Sequence, residues 1–558
     1  MKDFDVLVVG SGAGGAMAAY TLTKAGHKVL MLEAGRDYDP TTETPMFNTG
    51  ADAPLMGAGT VDKDFGFYDA TVDGGWTVPG EPYTTGENSE FLWWRARMLG
   101  GRTNHWGRFS LRFSEHDFKG KTRDGLGADW PFEYADIAPW YDKTEDLVGV
   151  CGTNTGLDDM PDSAEGVLQP PPKARVPELL VSAAAKKLGI ATAPMHRAVL
   201  TRPKDDRQAC FYATPCGRGC SIGAAFQTTT SLIPMARATG KLEIITNAMV
   251  SSVDADENGK VNAVTYIDKE TQQAVTLSAR VVVLAASACE SARILLNSKS
   301  EKFPMGLANS SGQVGKNIMD STGASLGAQI PLLEGRPRYN EDGHTANHLF
   351  IPWWGHAQHA RGELDFPRGY HFEIGSGFRA PGSGAPGNLQ GYGKEIADQA
   401  KRQYGAYVGL ALRGEMLPNA QSYMEIDEKV QDKWGIPVAK FHWAWSKHEL
   451  KQVEHGLKTA KKILETMGAK FTDPLPSAET AIAKGGQIIH EVGSTRMGAS
   501  ATDSVTNQYG QTWDCDNLFV MDGGVFASNP HKNCTLTIMT LVMRNASWLA
   551  SQLDKGAL

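Results

Sequence analysis

The chain has 558 residues, 41% hydrophobic and 21% charged, with a formal net charge of −8. That length exceeds one ordinary core and predicts two or more domains, and the composition is that of a globular protein. The absence of a Lys/Arg-rich block argues against nucleic acid as a partner, and the absence of an eighteen-residue apolar run argues against a membrane span.

The opening "MKDFDVLVVG" enters a buried-strand pattern within its first residues, so the chain is expected to carry no export signal of its own. Val6 to Val9 is a short continuous apolar run, as in a parallel strand covered on both faces. Gly10, Gly12 and Gly15 follow as G-x-G-x-x-G. Ala16 to Lys24 reads as a helix, and "KVLMLE" as a second strand ending in Glu33. This is a dinucleotide fingerprint in its full strand–helix–strand context. Gly10 permits the tight turn, Gly12 admits a pyrophosphate to the backbone, and Gly15 lets helix pack on strand. The helix N-terminus offers free N–H groups and a positive dipole end. Glu33, eighteen residues after Gly15, can accept hydrogen bonds from a ribose, which argues against a 2′-phosphate. The motif alone does not separate NAD from FAD.

Further along, "GGRTNHWG" places Gly100 and Gly101 side by side, which suits close approach of backbone to a ligand. The seven cysteines are too few and too scattered for a secreted disulfide framework. Cys151, Cys289, Cys515 and Cys534 read as buried small hydrophobes. Cys210, Cys216 and Cys220 instead fall within "ACFYATPCGRGCSIGA" as C-x5-C-x3-C. By spacing alone three readings compete: a disulfide with a spare thiol, a zinc site short of a fourth ligand, or an iron–sulfur cluster. Gly217 and Gly219 would free backbone N–H groups to bond cluster sulfur.

Residues 242–268 alternate like antiparallel strands around a "DENG" turn, and "ARVVVLAAS" is another buried strand returning to the nucleotide fold. The 330–375 region is rich in aromatic and histidine residues. Trp353, Trp354, His356, Tyr370 and His371 would suit the apolar faces of a sugar, but each is more simply read as core.

Five stretches then stand in order: "RARMLGGRTNHWGRFSLRF" (Arg95 to Phe113), "VVVLAASACESARILLNS" (Val281 to Ser298), "NSSGQVGKNIMD" (Asn309 to Asp320), "HEVGSTRMG" (His490 to Gly498) and "NLFVMDGGVFASNPHKNCTLTIMTL" (Asn517 to Leu541). Together they closely resemble the glucose–methanol–choline (GMC) oxidoreductases, which are FAD enzymes, over nearly the whole chain. Within that family the chain looks most like bacterial sugar dehydrogenases, the catalytic subunits of glucoside 3-dehydrogenase and FAD-dependent glucose dehydrogenase. The resemblance implies an α/β fold. A Rossmann-like FAD-binding domain of the GMC and p-hydroxybenzoate-hydroxylase type would come from residues 1–40, 85–110, 205–320 and 485–558. It would be interleaved with an α+β substrate domain on an antiparallel sheet, from 110–205 and 321–484. Gly100, Gly101 and Asn104 would stand against the flavin, Val250 near the adenine through its backbone, and Asp522 by the ribityl or pyrophosphate. His105 falls where some relatives attach FAD covalently.

Oxidising an alcohol removes a hydride from carbon and a proton from oxygen. The proton needs a base, for which histidine is suited, and the developing alkoxide needs a donor. By resemblance His490 is that base and Asn533 its partner, 43 residues on. His531 is a rival that falls outside the motif position. The resemblance further implies oxidation of a glucoside or glucose-type sugar, with C3 favoured, and a [3Fe–4S] cluster on Cys210, Cys216 and Cys220. Ala213 stands where many of those relatives have an extra cysteine. A small subunit carrying a twin-arginine signal, a cytochrome c acceptor and periplasmic rather than cytoplasmic location complete the expectation. The competing reading is an O2-using carbohydrate oxidase of the pyranose-oxidase type with structural cysteines.

Overall fold

The computed structural model describes residues 4–44, 73–212, 217, 219–336, 347–376, 389, 391–469, 471 and 474–558. Val6–Val9 has no polar side chain to turn to water, so it must be covered on both faces, and all four residues are buried. It is the middle strand of a five-stranded parallel sheet. The order is Leu518–Val520, Val282–Leu284, Val6–Val9, Val29–Leu32, Leu242–Ile245. Three remote parts of the chain therefore close one sheet. Asn517 stitches two of them, its Nδ2 donating to the carbonyls of Val261 and Arg280, each at 2.7 Å.

The helix Ala13–Lys24 lies unusually close to this sheet. A Cβ on Gly15 would stand 1.9 Å from the Gly10 carbonyl oxygen, and one on Gly14 would stand 2.0 Å from that of Met521. The meander around "DENG" forms as expected, with Ala248–Ala255 antiparallel to Val261–Asp268 and Gly259 in the left-handed region at φ +85°.

A second, antiparallel sheet runs Thr322–Gln329, Tyr407–Gly414, Tyr370–Ser376, Leu349–Ile351, Ala193–Pro194. Its faces follow the period of two. Val408, Leu410 and Leu412 join Tyr370, Phe372 and Ile374 in a core covered by the helix Lys447–Thr466 through Val453, Leu457, Ala460 and Ile463. Trp353 is in the same core, with Trp354 packed against it. His371, Glu373 and Arg413 alternate with these residues and project from the opposite face. Ser446 and Glu449 cap that helix in a reciprocal capping box.

One segment packs differently from its expected grouping. Phe113, Phe118, Trp130, Ile137, Tyr141 and Val148 belong to the core of the nucleotide unit, not to that of the antiparallel sheet. The helix Tyr134–Val148 lies on Thr535–Asp554, with Tyr141 Oη and Thr537 Oγ1 at 2.7 Å. Among the described residues no helix is long and apolar enough to cross a membrane.

Because the neighbour of Gly15 is backbone, it cannot turn aside. Gly15→Ala is expected to lose about 3 kcal/mol of stability and most bound flavin, read by thermal melting and flavin absorbance.

Candidate active site

A cleft of about 400 Å³ opens over the first turn of the helix Ala13–Lys24 and runs to His490 and Asn533. Gly12 caps that helix without a side chain, leaving the first N–H groups open to the cleft. Of the residues expected to bind cofactor, Gly10, Gly12, Glu33, Gly101, His105, Val250 and Asp522 line it. Gly15, Gly100 and Asn104 do not. Gly15 is the close-packing position. The Gly100 N–H donates to Ser11 Oγ at 2.8 Å, and Asn104 spans the Leu99 carbonyl and the side chains of Gln227 and Thr229. Asn104 thus shapes the cleft from behind.

Glu33 accepts hydrogen bonds from the Ser11 N–H (3.0 Å) and hydroxyl and from the Gly35 N–H (2.7 Å). Ser11 therefore joins the acid to the Gly100 turn. Val250 gives its carbonyl to Arg293 Nη2 at 3.0 Å. Arg293 and Arg97 in turn hold Glu290, which stays ionised at about 2 against the effect of burial. Asp522 takes N–H or O–H donors from Gly524, Ser287 and Ser291, while burial pushes it up to about 6. Ser287 sits at φ +101°, strained for a residue with a side chain, and it lines the cleft. His105 is stacked edge-on against Trp94, its centroid 4.3 Å away. Both of its ring nitrogens are buried without a partner, and burial with Arg108 and Arg102 keeps it neutral.

At the other end, His490 follows a strained residue: Ile489 has φ +66°, rare for any β-branched side chain. The buried Asp320 carboxylate holds this turn. It accepts the N–H groups of Ile488 (3.1 Å), His490 (2.9 Å) and Ser321 (2.8 Å). Burial and the nearby Glu491 raise Asp320 to about 7, and Glu491 is itself paired with Arg102 at 2.6 Å.

His490 Nδ1 lies 2.9 Å from Ser321 Oγ, and its Nε2 lies 3.4 Å from Asn533 Nδ2. Burial, aided by Arg413, pushes His490 down to about 3, so it is unprotonated at neutral pH, the form a base requires. Asn533 Nδ2 also lies 3.4 Å from Glu373 Oε1. Burial opposes the charge on Glu373, but Arg413 at 3.1 Å and His371 hold it at about 2. Lys532 anchors the Asn533 turn by ion pairs to Asp117 (2.8 Å) and Asp159 (2.9 Å). His531 faces Asp159 and His371 and does not line the cleft.

The cysteine segment abuts the same cleft, whose lining includes Gly217 as well as His105 and Trp106. The Cys220 N–H donates to Gln227 Oε1 at 2.7 Å, and Gln227 Nε2 donates to Asn104 Oδ1 at 3.2 Å. Cys210 Sγ accepts from the Tyr212 N–H and Cys220 Sγ from the Ala225 N–H, both at 3.4 Å. Cys216 lies outside the described residues. Among the described residues no group of three His, Cys, Asp or Glu side chains is placed to hold a metal ion.

With this geometry in hand, comparison decides the family. The two GMC oxidoreductase family models match residues 4–322 and 418–541. The chain belongs to the GMC oxidoreductases. It is 30% identical to 2-methyl-1,2-propanediol dehydrogenase of Mycolicibacterium austroafricanum, covering 98% of this chain and 95% of that one. It is 25% identical to the fructose dehydrogenase large subunit of Gluconobacter japonicus (99% and 98%). It is 27% identical to 6‴-hydroxyparomomycin C oxidase of Streptomyces lividus (99% and 93%). As a GMC oxidoreductase the protein acts on the CH–OH group of an alcohol or sugar, and the family implies FAD. The cleft fits that cofactor: open N–H groups at a helix start, an acid at the ribose position, and unpartnered polar atoms on His105 and Arg293.

Sequence motifs missed Ser321, Asp320, Ile489, Glu373 and Arg413 as parts of the site. The first three adjoin or face "HEVGSTRMG", and Asp320 closes a family stretch. Nothing local marks Glu373 or Arg413, which reach the site only through sheet pairing.

Asp320 gives a pH dependence with a definite sign. Its folded value near 7 exceeds the unfolded value of about 4, so the folded state keeps a proton that the unfolded state loses. Stability is expected to fall as pH rises from about 4 to about 7, in denaturant titrations. Asp320→Asn should flatten that slope and slow flavin reduction about tenfold.

Proposed function

We propose that this GMC oxidoreductase is an FAD-dependent sugar dehydrogenase that oxidises a ring hydroxyl of a glucoside or glucose-type sugar, C3 favoured, to a ketone. The observation that carries the reading is the His490–Asn533 pair, 3.4 Å apart at one end of a cleft whose other end is a dinucleotide fingerprint. FAD, when bound, supplies the hydride acceptor for the carbinol carbon. His490 Nε2 takes the hydroxyl proton, and Asn533 Nδ2 donates to the oxygen as its charge develops. Arg102 and Glu491, both in the cleft lining, neutralise one another beside His490 by an ion pair at 2.6 Å. The likeness to a fructose dehydrogenase supports a sugar substrate, and the C3 preference rests on the likeness to glucoside 3-dehydrogenase subunits.

The second part of the proposal concerns electron exit. Cys210, Cys216 and Cys220 would hold a [3Fe–4S] cluster, which offers a one-electron route to a cytochrome c. The support is position and chemistry: the segment touches the cleft at Gly217, and two of its sulfurs already accept backbone N–H groups. The relative named as a large subunit supports a partner subunit here. That subunit would carry the export signal and bring the enzyme to the periplasm. The relative named as an oxidase favours the other outcome, direct use of O2 with structural cysteines.

Anaerobic titration with methyl glucosides, glucose and 1,2-propanediol should bleach the flavin with a sugar and give a 3-keto product by NMR. Bleaching by the diol alone would remove the sugar reading. His490→Ala should bind FAD yet reduce it about 10²–10⁴-fold more slowly; an unchanged rate would exclude His490 as the base.

Cys220→Ser should abolish bound iron and cytochrome c reduction while sugar still bleaches the flavin. Iron-free wild-type protein that makes peroxide in air would establish the oxidase instead.

A further inference from the structure

We infer that Glu373 is a positioning residue that sets the tautomer of His490 through Asn533, with Ser321 Oγ accepting the Nδ1–H on the far side. The inference rests on His490 being the base.

A carboxylate only accepts hydrogen bonds, whereas an amide side chain has one donating and one accepting end. Glu373 is ionised and lies 3.4 Å from the Asn533 amide, so it demands the NH2 end. The alternative rotamer would set the Asn533 carbonyl against a carboxylate. The NH2 group thereby turned toward Glu373 is the same group that lies 3.4 Å from His490 Nε2. Two donors cannot face one another productively, so Nε2 must be the bare, accepting nitrogen. A neutral imidazole then carries its proton on Nδ1. The neighbour there is Ser321 Oγ, fully buried and 2.9 Å away, which accepts that N–H.

The arrangement leaves a mark on Asn533 itself. Its carbonyl oxygen is buried without a hydrogen-bond partner. A buried acceptor left unmade costs about 1–3 kcal/mol, so something must hold the amide this way round. Glu373 is the group that does. Arg413 keeps Glu373 charged from the opposite side, reaching its other oxygen, Oε2, at 3.1 Å. His371 lies 3.8 Å from Oε1, and His531 lies 3.5 Å beyond it. His531 belongs to the stretch that carries Asn533, but Glu373, Arg413 and His371 lie outside the motifs that mark the pair. Those three reach it from the antiparallel sheet.

The consequence is catalytic readiness. The bare Nε2 faces the substrate end of the cleft, ready to accept a hydroxyl proton. When an alcohol binds, its hydroxyl takes the place of the Asn533 amide at Nε2, and the amide hydrogen that faced Nε2 turns to donate to the alcohol oxygen. In the other tautomer Nε2 would already carry a proton and could accept none.

Nitrogen-15 NMR of histidine-labelled, FAD-loaded protein tests this, with His490→Gln identifying the resonances of His490. In the wild type we expect Nδ1 protonated and Nε2 bare. In Glu373→Gln, the glutamine carbonyl will stay on Arg413 and its NH2 will face Asn533. The Asn533 amide should then reverse, and the His490 proton should move to Nε2. Flavin reduction at saturating sugar should slow at least about tenfold with FAD content retained. Ser321→Ala, which removes the acceptor at Nδ1, should also raise the Nε2–H population. A wild-type His490 protonated at Nε2 overturns the inference even if the Glu373 variant does not fold. So does a folded Glu373→Gln protein whose His490 stays wholly in the Nδ1–H form, whatever its rate. Failure of the base reading is separate: it would show as unimpaired flavin reduction in His490→Ala.

Discussion

Everything at the site depends on how closely the first helix lies against the nucleotide sheet. Gly15 touches the Gly10 carbonyl and Gly14 the Met521 carbonyl, at separations where no side chain fits. The first contact sets the phosphate turn at the start of the chain. The second fixes the end of the C-terminal strand, from which Asp522 and then the turn bearing Asn533 depart. The close approach of this helix thus registers the fingerprint end of the cleft against the Asn533 end, although over five hundred residues of sequence separate them. Dispersion and apolar burial make such an approach favourable only where backbone meets backbone without Cβ atoms.

The end of the cleft at His490 and Asn533 presents the opposite problem, a dense set of charges away from water. Arg102–Glu491, Arg413–Glu373 and Lys532 with Asp117 and Asp159 are each closed locally. Buried pairs of this kind contribute little net stability, because desolvation offsets much of their attraction. What they contribute here is direction. Each one fixes a donor or acceptor near His490 or Asn533. Strain at Ile489 is held in the same way, by the three N–H bonds to Asp320. The site is therefore organised by polar groups whose energetic return is geometry more than stability.

Much was legible from local sequence. The fingerprint, its strand and helix and the "DENG" meander stand where the sequence pointed, and His490 and Asn533 meet at 3.4 Å in the cleft. The core role of Trp353 and Tyr370 stands as well. Asn104, expected beside the flavin by resemblance, turns its side chain to the Leu99 carbonyl, Gln227 and Thr229. The segment from Phe113 to Val148 packs with the nucleotide core because Tyr141 and its neighbours meet the last helix, a contact no local pattern announces.

The sequence by itself determined the family chemistry: a glycine spacing that only a phosphate-binding turn requires, an acid at the ribose distance, and a histidine and asparagine in recognisable company. These are properties of residue type and short spacing, which local sterics and hydrogen bonding dictate. Tertiary structure alone decided which groups surround that pair. Glu373 and Arg413 are ordinary strand residues until sheet pairing turns their face toward His490, and a period of two says only that they share a face, not what the face meets. The surroundings of the Asn533 amide are a long-range property, because Glu373 and Arg413 come from strands about 160 and about 120 residues away in the chain.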